Sequence, residues 1–138
     1  MKIATKTKRM VAARAGGYCE YCKSHEDFST ASFAVEHIIP RFKMGSDESD
    51  NLAYSCLGCN AYKHTRTSFP DPETGLEAPL FNPRTQDWAE HFCWDDSCLL
   101  LMGLTPTGRA TVELLRLNRP ALLNLRRALV RAGEHPPK

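Results

Sequence analysis

Two Cys-x-x-Cys pairs, Cys19–Cys22 in "CEYC" and Cys56–Cys59 in "CLGC", constrain this chain more than any other feature. Four thiolates so spaced can close a tetrahedral shell around Zn2+ with no position left for water, which makes a structural site. The competing readings are coincidence and a redox pair, and the second needs a thioredoxin-like helix context that neither pair has. Residues 23–55, between the pairs, hold little apolar material, so a metal clip at both ends offsets a thin local core. No apolar block of signal-peptide length follows the N-terminal lysines, and no apolar run approaches the roughly 20 residues that span a bilayer. The expectation is an unexported, cytoplasmic chain with no membrane partner, in a reducing compartment where cysteines serve metals rather than disulfides. Cys93 and Cys98 lack the spacing and are expected as small core residues.

With 138 residues, 42% hydrophobic and 25% charged, the chain reads as one soluble domain, 1–138. The formal net charge of +2 does not by itself announce a nucleic-acid partner, but its distribution is uneven. Residues 1–14 carry Lys2, Lys6, Lys8, Arg9 and Arg14 with no acid, and Arg116, Arg119, Arg126, Arg127 and Arg131 crowd the C-terminal segment. On charge alone, solvated helix faces explain this as well as phosphate binding does.

The pattern along the chain is α+β. A basic helix is expected over 5–15, closed by Gly16-Gly17. "TASFAVEHI" places Phe33, Val35 and His37 on one parity, as a strand over about 31–37 ended by Pro40 does. "RFKMGSDESDNL" is a loop by composition, "NLAYSC" a second short strand, and the segment after "CLGC" a helix. Residues 69–84, with four prolines and one glycine, read as an irregular connection. Beyond it come a short helix at "DWAEHF", strands near 92–95 and 98–104, and helices over 107–117 and 120–131. Thr105 or Thr107 can cap the first of these helices, and Pro120 suits the first turn of the second. Leu122, Leu125 and Leu129 form a core face opposite the arginines. The chain thus reads as a basic N-terminal helix (1–18), a zinc-clamped centre (19–68) and a C-terminal extension of short strands and two helices (69–138).

"VEHIIP" ends the first strand with Glu36 beside His37. An imidazole titrates near about 6.5, so histidine is the side chain best suited to accept a proton from water near neutrality. A carboxylate is the hard oxygen donor that Mg2+ or Mn2+ prefers. Downstream, Asn60, Lys63 and His64 share one helix face by three- and four-residue spacing. Glu36 and Asn60 can hold a divalent cation, Lys63 can meet a phosphate, and His64 can be a third ligand or a phosphate donor. The bland alternatives are a solvent-facing histidine and a surface lysine. Successive strand residues point to opposite faces, so Glu36 and His37 address one phosphate only if the strand bends or bulges there.

The series "CEYC", "EHIIP", "DNLAYSC", "CNAYK" over residues 19–63 resembles the HNH endonucleases of the ββα-metal superfamily. The resemblance implies a zinc-stabilised ββα-metal finger that hydrolyses DNA phosphodiester bonds, leaving 5′-phosphate and 3′-hydroxyl ends. It places the general base on His37, the central asparagine that holds the base or its loop on Asn51, the acidic ligand on Glu36 and the third signature position on Asn60. The chain therefore reads His-Asn-Asn, a departure that shifts the expected catalytic ion toward Mg2+ or Mn2+. Phosphate contacts are expected first from Lys6, Lys8, Arg9, Arg14, Arg41 and Lys63, then from the C-terminal arginines. No base-reading module is recognisable, so strong sequence specificity requires a homodimer or another partner. The rival readings are a catalytically inactive zinc-knuckle nucleic-acid-binding module and an interaction scaffold.

Overall fold

The computed structural model describes residues 3–138, and Lys2 of the basic N-terminal group lies outside them. The chain divides into two compact units, Met1–Thr67 with Asn82–Gln86, and Ser68–Phe81 with Asp87–Lys138. Among the described residues the architecture is α+β, with five α-helices and three two-stranded antiparallel sheets. No helix among the described residues is long and apolar enough to cross a membrane.

The first unit begins with α1 (Thr5–Arg14), which stops at Gly16 and Gly17, both at positive φ where glycine carries no steric penalty. Its one buried residue, Val11, packs with Leu52 and Tyr54, against which Ile3, Ala12, Ala15, Phe33 and Val35 close. This small core joins α1 to the hairpin of β1 (Ala34–His37) and β2 (Leu52–Ser55). The short helix α2 (Leu57–Lys63) follows β2 directly, completing a ββα order. Asn82–Gln86 closes the unit: the Arg84 guanidinium pairs with the buried Glu20 carboxylate inside the first cysteine pair.

The second unit carries β3 (Ser68–Pro70) paired with β4 (Glu77–Pro79), then α3 (Trp88–His91), the hairpin of β5 (Phe92–Trp94) and β6 (Leu101–Gly103), α4 (Pro106–Leu115) and α5 (Pro120–Ala132). The expected irregular connection over 69–84 thus contains a hairpin. Proline is admitted because a two-stranded sheet has only edge strands, where a missing N–H is harmless. The turn between them is tied by Asp71, which accepts from Glu73 N–H and Thr74 Oγ1 and receives the Arg109 guanidinium in a fork, both contacts 2.9 Å. Thr105 caps α4 by accepting from Gly108 N–H, and Pro120 occupies the first turn of α5.

Two expectations here are corrected. Arg126 does not lie opposite the core face of α5: it is 3% exposed, donates to the carbonyls of Leu99 and Leu117, and stacks 4.9 Å from the Trp94 ring centre. Its long aliphatic stem and five donors let it satisfy carbonyls at a loop while its charged carbon sits over an indole. Cys93 is exposed and Cys98 half-buried, so neither is a core residue. Cys93 is the middle residue of β5, on the strand's outward parity, paired across the sheet with the exposed Met102.

Candidate active site and zinc cluster

The sulfurs of Cys19, Cys22, Cys56 and Cys59 lie within 4.8 Å of one another, all four residues are buried, and none is in a disulfide. Tetrahedral Zn2+ with ~2.3 Å bonds sets its sulfurs about 3.8 Å apart, and the Cys22 and Cys56 sulfurs are 3.8 Å apart. The donor set therefore fits a closed structural zinc site. Each pair also makes the N–H to sulfur bond of a knuckle, Cys22 N–H to Cys19 and Cys59 N–H to Cys56. Cys56 thereby doubles as the N-cap of α2, so the metal ligand sets where the helix starts. The Cys56 thiol is pulled far down, chiefly by hydrogen bonding from Cys19 and then Cys22 and Cys59. Burial pushes the Cys19 thiol up. A buried thiolate supported by neighbouring thiols is the charge arrangement that a cation completes.

At the end of β1 the register runs unbroken, Glu36 opposite Ala53 and His37 opposite Leu52, with no bulge. The two side chains accordingly part. Glu36 is 6% exposed, accepts the Tyr21 hydroxyl proton on Oε1, and pairs with the Lys63 ammonium at 3.4 Å through Oε2. Burial raises the Glu36 carboxyl pKa, against the opposing pull of Lys63 and Tyr21. His37 is partly exposed and turns to Asp47, with Nε2 2.7 Å from Oδ1.

Lys63 does not reach a surface where phosphate could meet it. It is 1% exposed and donates to the carbonyls of Ile38, at 3.1 Å, and His37, at 3.4 Å, besides its pairing with Glu36. An ammonium has three donors, and all three find acceptors at the end of β1. The lysine thus pins the backbone of the histidine to α2. Asn60, one helical turn earlier on the same face, is half-buried, and His64 is exposed at the end of α2 with φ of 51°.

The loop between the strands is held by one side chain. Asn51, 9% exposed, accepts the Ile39 N–H on Oδ1 and donates through Nδ2 to the carbonyls of Ile39 and Ser46. It closes the loop like a staple. Where the chain passes back over Ile39, Gly45 leaves no room for a side chain: a Cβ there would stand 1.7 Å from the Ile39 carbonyl oxygen and 2.9 Å from Asn51 Nδ2. The loop returns Asp47, whose Oδ1 takes both His37 and, at 2.8 Å, Arg41 Nε. Arg41 first and His37 second hold the Asp47 carboxyl down at about 2. It is therefore ionised at neutral pH beside the ring.

Sequence reasoning missed Asp47, although its signal was visible: an acid set among Gly, Ser and Asp residues of a loop that must fold back on the histidine. The basic residues of α1 are exposed at Lys6, Lys8, Arg9 and Arg14, and the last of these also donates to the Leu52 carbonyl.

For a hard divalent cation the fit is one of donor type. Glu36 and Asn60 offer carboxylate and amide oxygens, and each Glu36 oxygen keeps an acceptor lone pair beyond its present partner. Hydrogen bonds that orient a ligand carboxylate are the usual support of such sites. Among the described residues no cluster of three His, Cys, Asp or Glu ligands exists besides the four cysteines.

Residues 19–66 match the protein-family model described as HNH endonuclease. Comparison of the chain with curated proteins and with solved structures finds no match.

Proposed function

We propose that the first unit is a metal-dependent nuclease centre of HNH type that hydrolyses DNA phosphodiester bonds, with His37 as the general base. The observation that carries this is the 2.7 Å contact between His37 Nε2 and the ionised Asp47. A carboxylate only accepts, so a ring carrying a single proton holds it on Nε2 toward Asp47 and keeps Nδ1 as its acceptor. Nδ1 then draws a proton from water as the water oxygen bonds to phosphorus. The bond from phosphorus to the 3′ oxygen breaks, and that oxygen takes a proton from solvent, leaving 5′-phosphate and 3′-hydroxyl ends.

Asn51 and Lys63 hold the strand end on which the base stands, where an ångström of misplacement costs about 10²-fold in rate. Glu36 and Asn60 are the residues proposed to hold Mg2+ or Mn2+, with His64 near the end of the same helix. Glu36 turns inward to Tyr21 and Lys63 while His37 turns to Asp47, so an ion held there would supply Lewis-acid stabilisation to the phosphate at His37 only once Glu36 leaves that pair. Phosphate affinity is assigned to the exposed cations Lys6, Lys8 and Arg9 of α1, with Arg14 and Arg41 contributing beside their internal bonds.

The test is incubation of supercoiled, linear and single-stranded DNA with the purified protein and Mg2+ or Mn2+, beside His37→Ala and Asp47→Ala. Cleavage should fall about 10²- to 10⁴-fold in His37→Ala. Salt-sensitive binding without cleavage by the wild type on any form would instead establish an inactive zinc-knuckle binding module.

A further inference from the structure

Resting on the nuclease reading, we propose that the turn Arg41–Lys43 and the residue after it form an apolar wedge, Phe42 and Met44, which inserts between bases beside the scissile phosphate. The substrate is then DNA whose stack is opened at the cleavage step.

Phe42 is 71% exposed and Met44 93% exposed, in a loop whose one buried fastening is Asn51. Scattered single apolar residues on a surface need no explanation. These two stand one residue apart, and Met44 carries its side chain at φ 71°, a left-handed conformation that favours glycine. A long apolar side chain held out to water from a disfavoured backbone marks a use for that side chain.

Charge selects the occupant. Arg41 and Lys43 flank Phe42, and the Lys43 ammonium lies 5.7 Å from the Phe42 ring centre. A protein partner is disfavoured because two side chains supply far less than the ~1,200 Å² of a stable interface. An apolar tip between cations suits nucleic acid, where phosphates meet the cations and a base face meets the ring. Phenylalanine and methionine are among the side chains that enter base steps and kink a duplex.

Placement ties the wedge to the chemistry. Asp47 Oδ1 holds His37 at 2.7 Å and Arg41 at 2.8 Å, so the turn bearing Phe42 and the general base share one anchor. A phosphate within reach of Nδ1 therefore presents its neighbouring base step to the turn. Opening that step exposes the backbone to in-line attack.

The experiment uses the full chain with His37→Ala to block cleavage, and duplex DNA carrying 2-aminopurine on either side of the cleavage position mapped with the wild type. Binding is followed separately by anisotropy. The single-substitution protein should raise 2-aminopurine fluorescence several-fold on binding, and the same protein with Phe42→Ala and Met44→Gly should not. Glycine at 44 suits the backbone already present, so the variant keeps its fold. With His37 restored, the wedge variant should lose at least about tenfold on paired duplex and regain activity when a mismatch opens the same step. Equal fluorescence from both proteins, or binding with no rise in either, overturns the wedge and leaves the nuclease reading standing. Failure of the wild type to bind or cut any DNA overturns both.

Discussion

The fastenings of the first unit are groups that chemistry can remove singly: four thiols on one prospective metal, the Asn51 staple, and the Glu36–Lys63 pair under β1. Its apolar cluster is small, Val11, Leu52 and Tyr54 with a partly buried fringe. The second unit instead buries Phe81, Phe92, Leu101, Leu115, Leu117 and Leu122, and adds polar ties such as Asp71–Arg109 around them. The loop between β1 and β2, which holds the proposed base in place, leaves Arg41, Phe42 and Met44 exposed and is fastened mainly by polar side chains. The first unit substitutes coordination and hydrogen bonding for burial, which gives precise placement and a strong dependence on each fastener.

The two units should part most sharply when the metal expected at the four cysteines is removed. Chelation under reducing conditions, or Cys59→Ser, should abolish amide-exchange protection in residues 19–63 while protection in β5, β6 and α4 persists. Structural zinc contributes about 10–16 kcal/mol in isolated fingers, far more than the small cluster around Val11 can replace. Metal analysis should give one zinc per chain, and Cys93→Ser, on the exposed middle of β5, should leave that ratio unchanged. Retained protection after zinc loss would show that the apolar cluster suffices.

Next comes the buried pair. Lys63→Met leaves the buried Glu36 carboxyl without its cation, to stand unpaired or take up a proton, a change that costs up to about 3–5 kcal/mol, and Glu36→Gln in the same chain should recover part of it. The salt dependence of DNA binding should not change. A lysine that neutralised a phosphate would lower the slope of log affinity against log salt by about 0.9.

Smaller in stability, and larger in activity, are changes in the loop. Gly45→Ala drives a methyl group onto the Ile39 carbonyl, so the segment carrying Asp47 must shift. Cleavage should fall about 10²-fold with zinc content intact. Asn51→Ala leaves the Ile39 N–H and two carbonyls without their partner, about 1–3 kcal/mol per covered group. If either variant cuts DNA at the wild-type rate, the loop does not position the base.

Much of this contrast was legible in the sequence. The cysteine spacing foretold the cluster because a metal site is set by few residues at short range; for the same local reason Pro120 marked the start of α5, and Thr105 was one of two caps offered for α4. What escaped depended on which way a side chain turns. Lys63 and Arg126 look like surface cations in one dimension. Only the register of β1 against β2, and the carbonyls left open at Ile38, Leu99 and Leu117, show why each is drawn inside. The β3–β4 hairpin escaped because its prolines signal a loop unless the sheet is known to have two strands. Asp47 escaped because its partner is ten residues away across a turn whose course Gly45 and Asn51 determine.

Acid offers the finest comparison, since each unit has one carboxyl held at about 2, Asp47 by Arg41 and His37, and Asp71 by Arg109. The unfolded carboxyl titrates near about 3.9, so each contributes stability that is complete above that value and is lost as pH falls toward about 2. Glu36 has the opposite sign: its raised pKa means that folding is favoured with the proton on, a contribution complete below the usual carboxylate value and lost as pH rises from there through the raised one. The cysteines bind protons in competition with zinc, so the first unit should lose its metal, and with it its fold, before Asp71 titrates. Exchange-detected unfolding from pH 6 to about 2 should show two steps, the first zinc-linked and confined to residues 19–63. Arg109→Ala should lower the stability of the second unit at neutral pH and flatten its acid step, the two curves converging below about pH 2, where wild-type Asp71 is itself mostly protonated. A single step shared by both units, unmoved by Arg109→Ala, would show that they fold as one cooperative body.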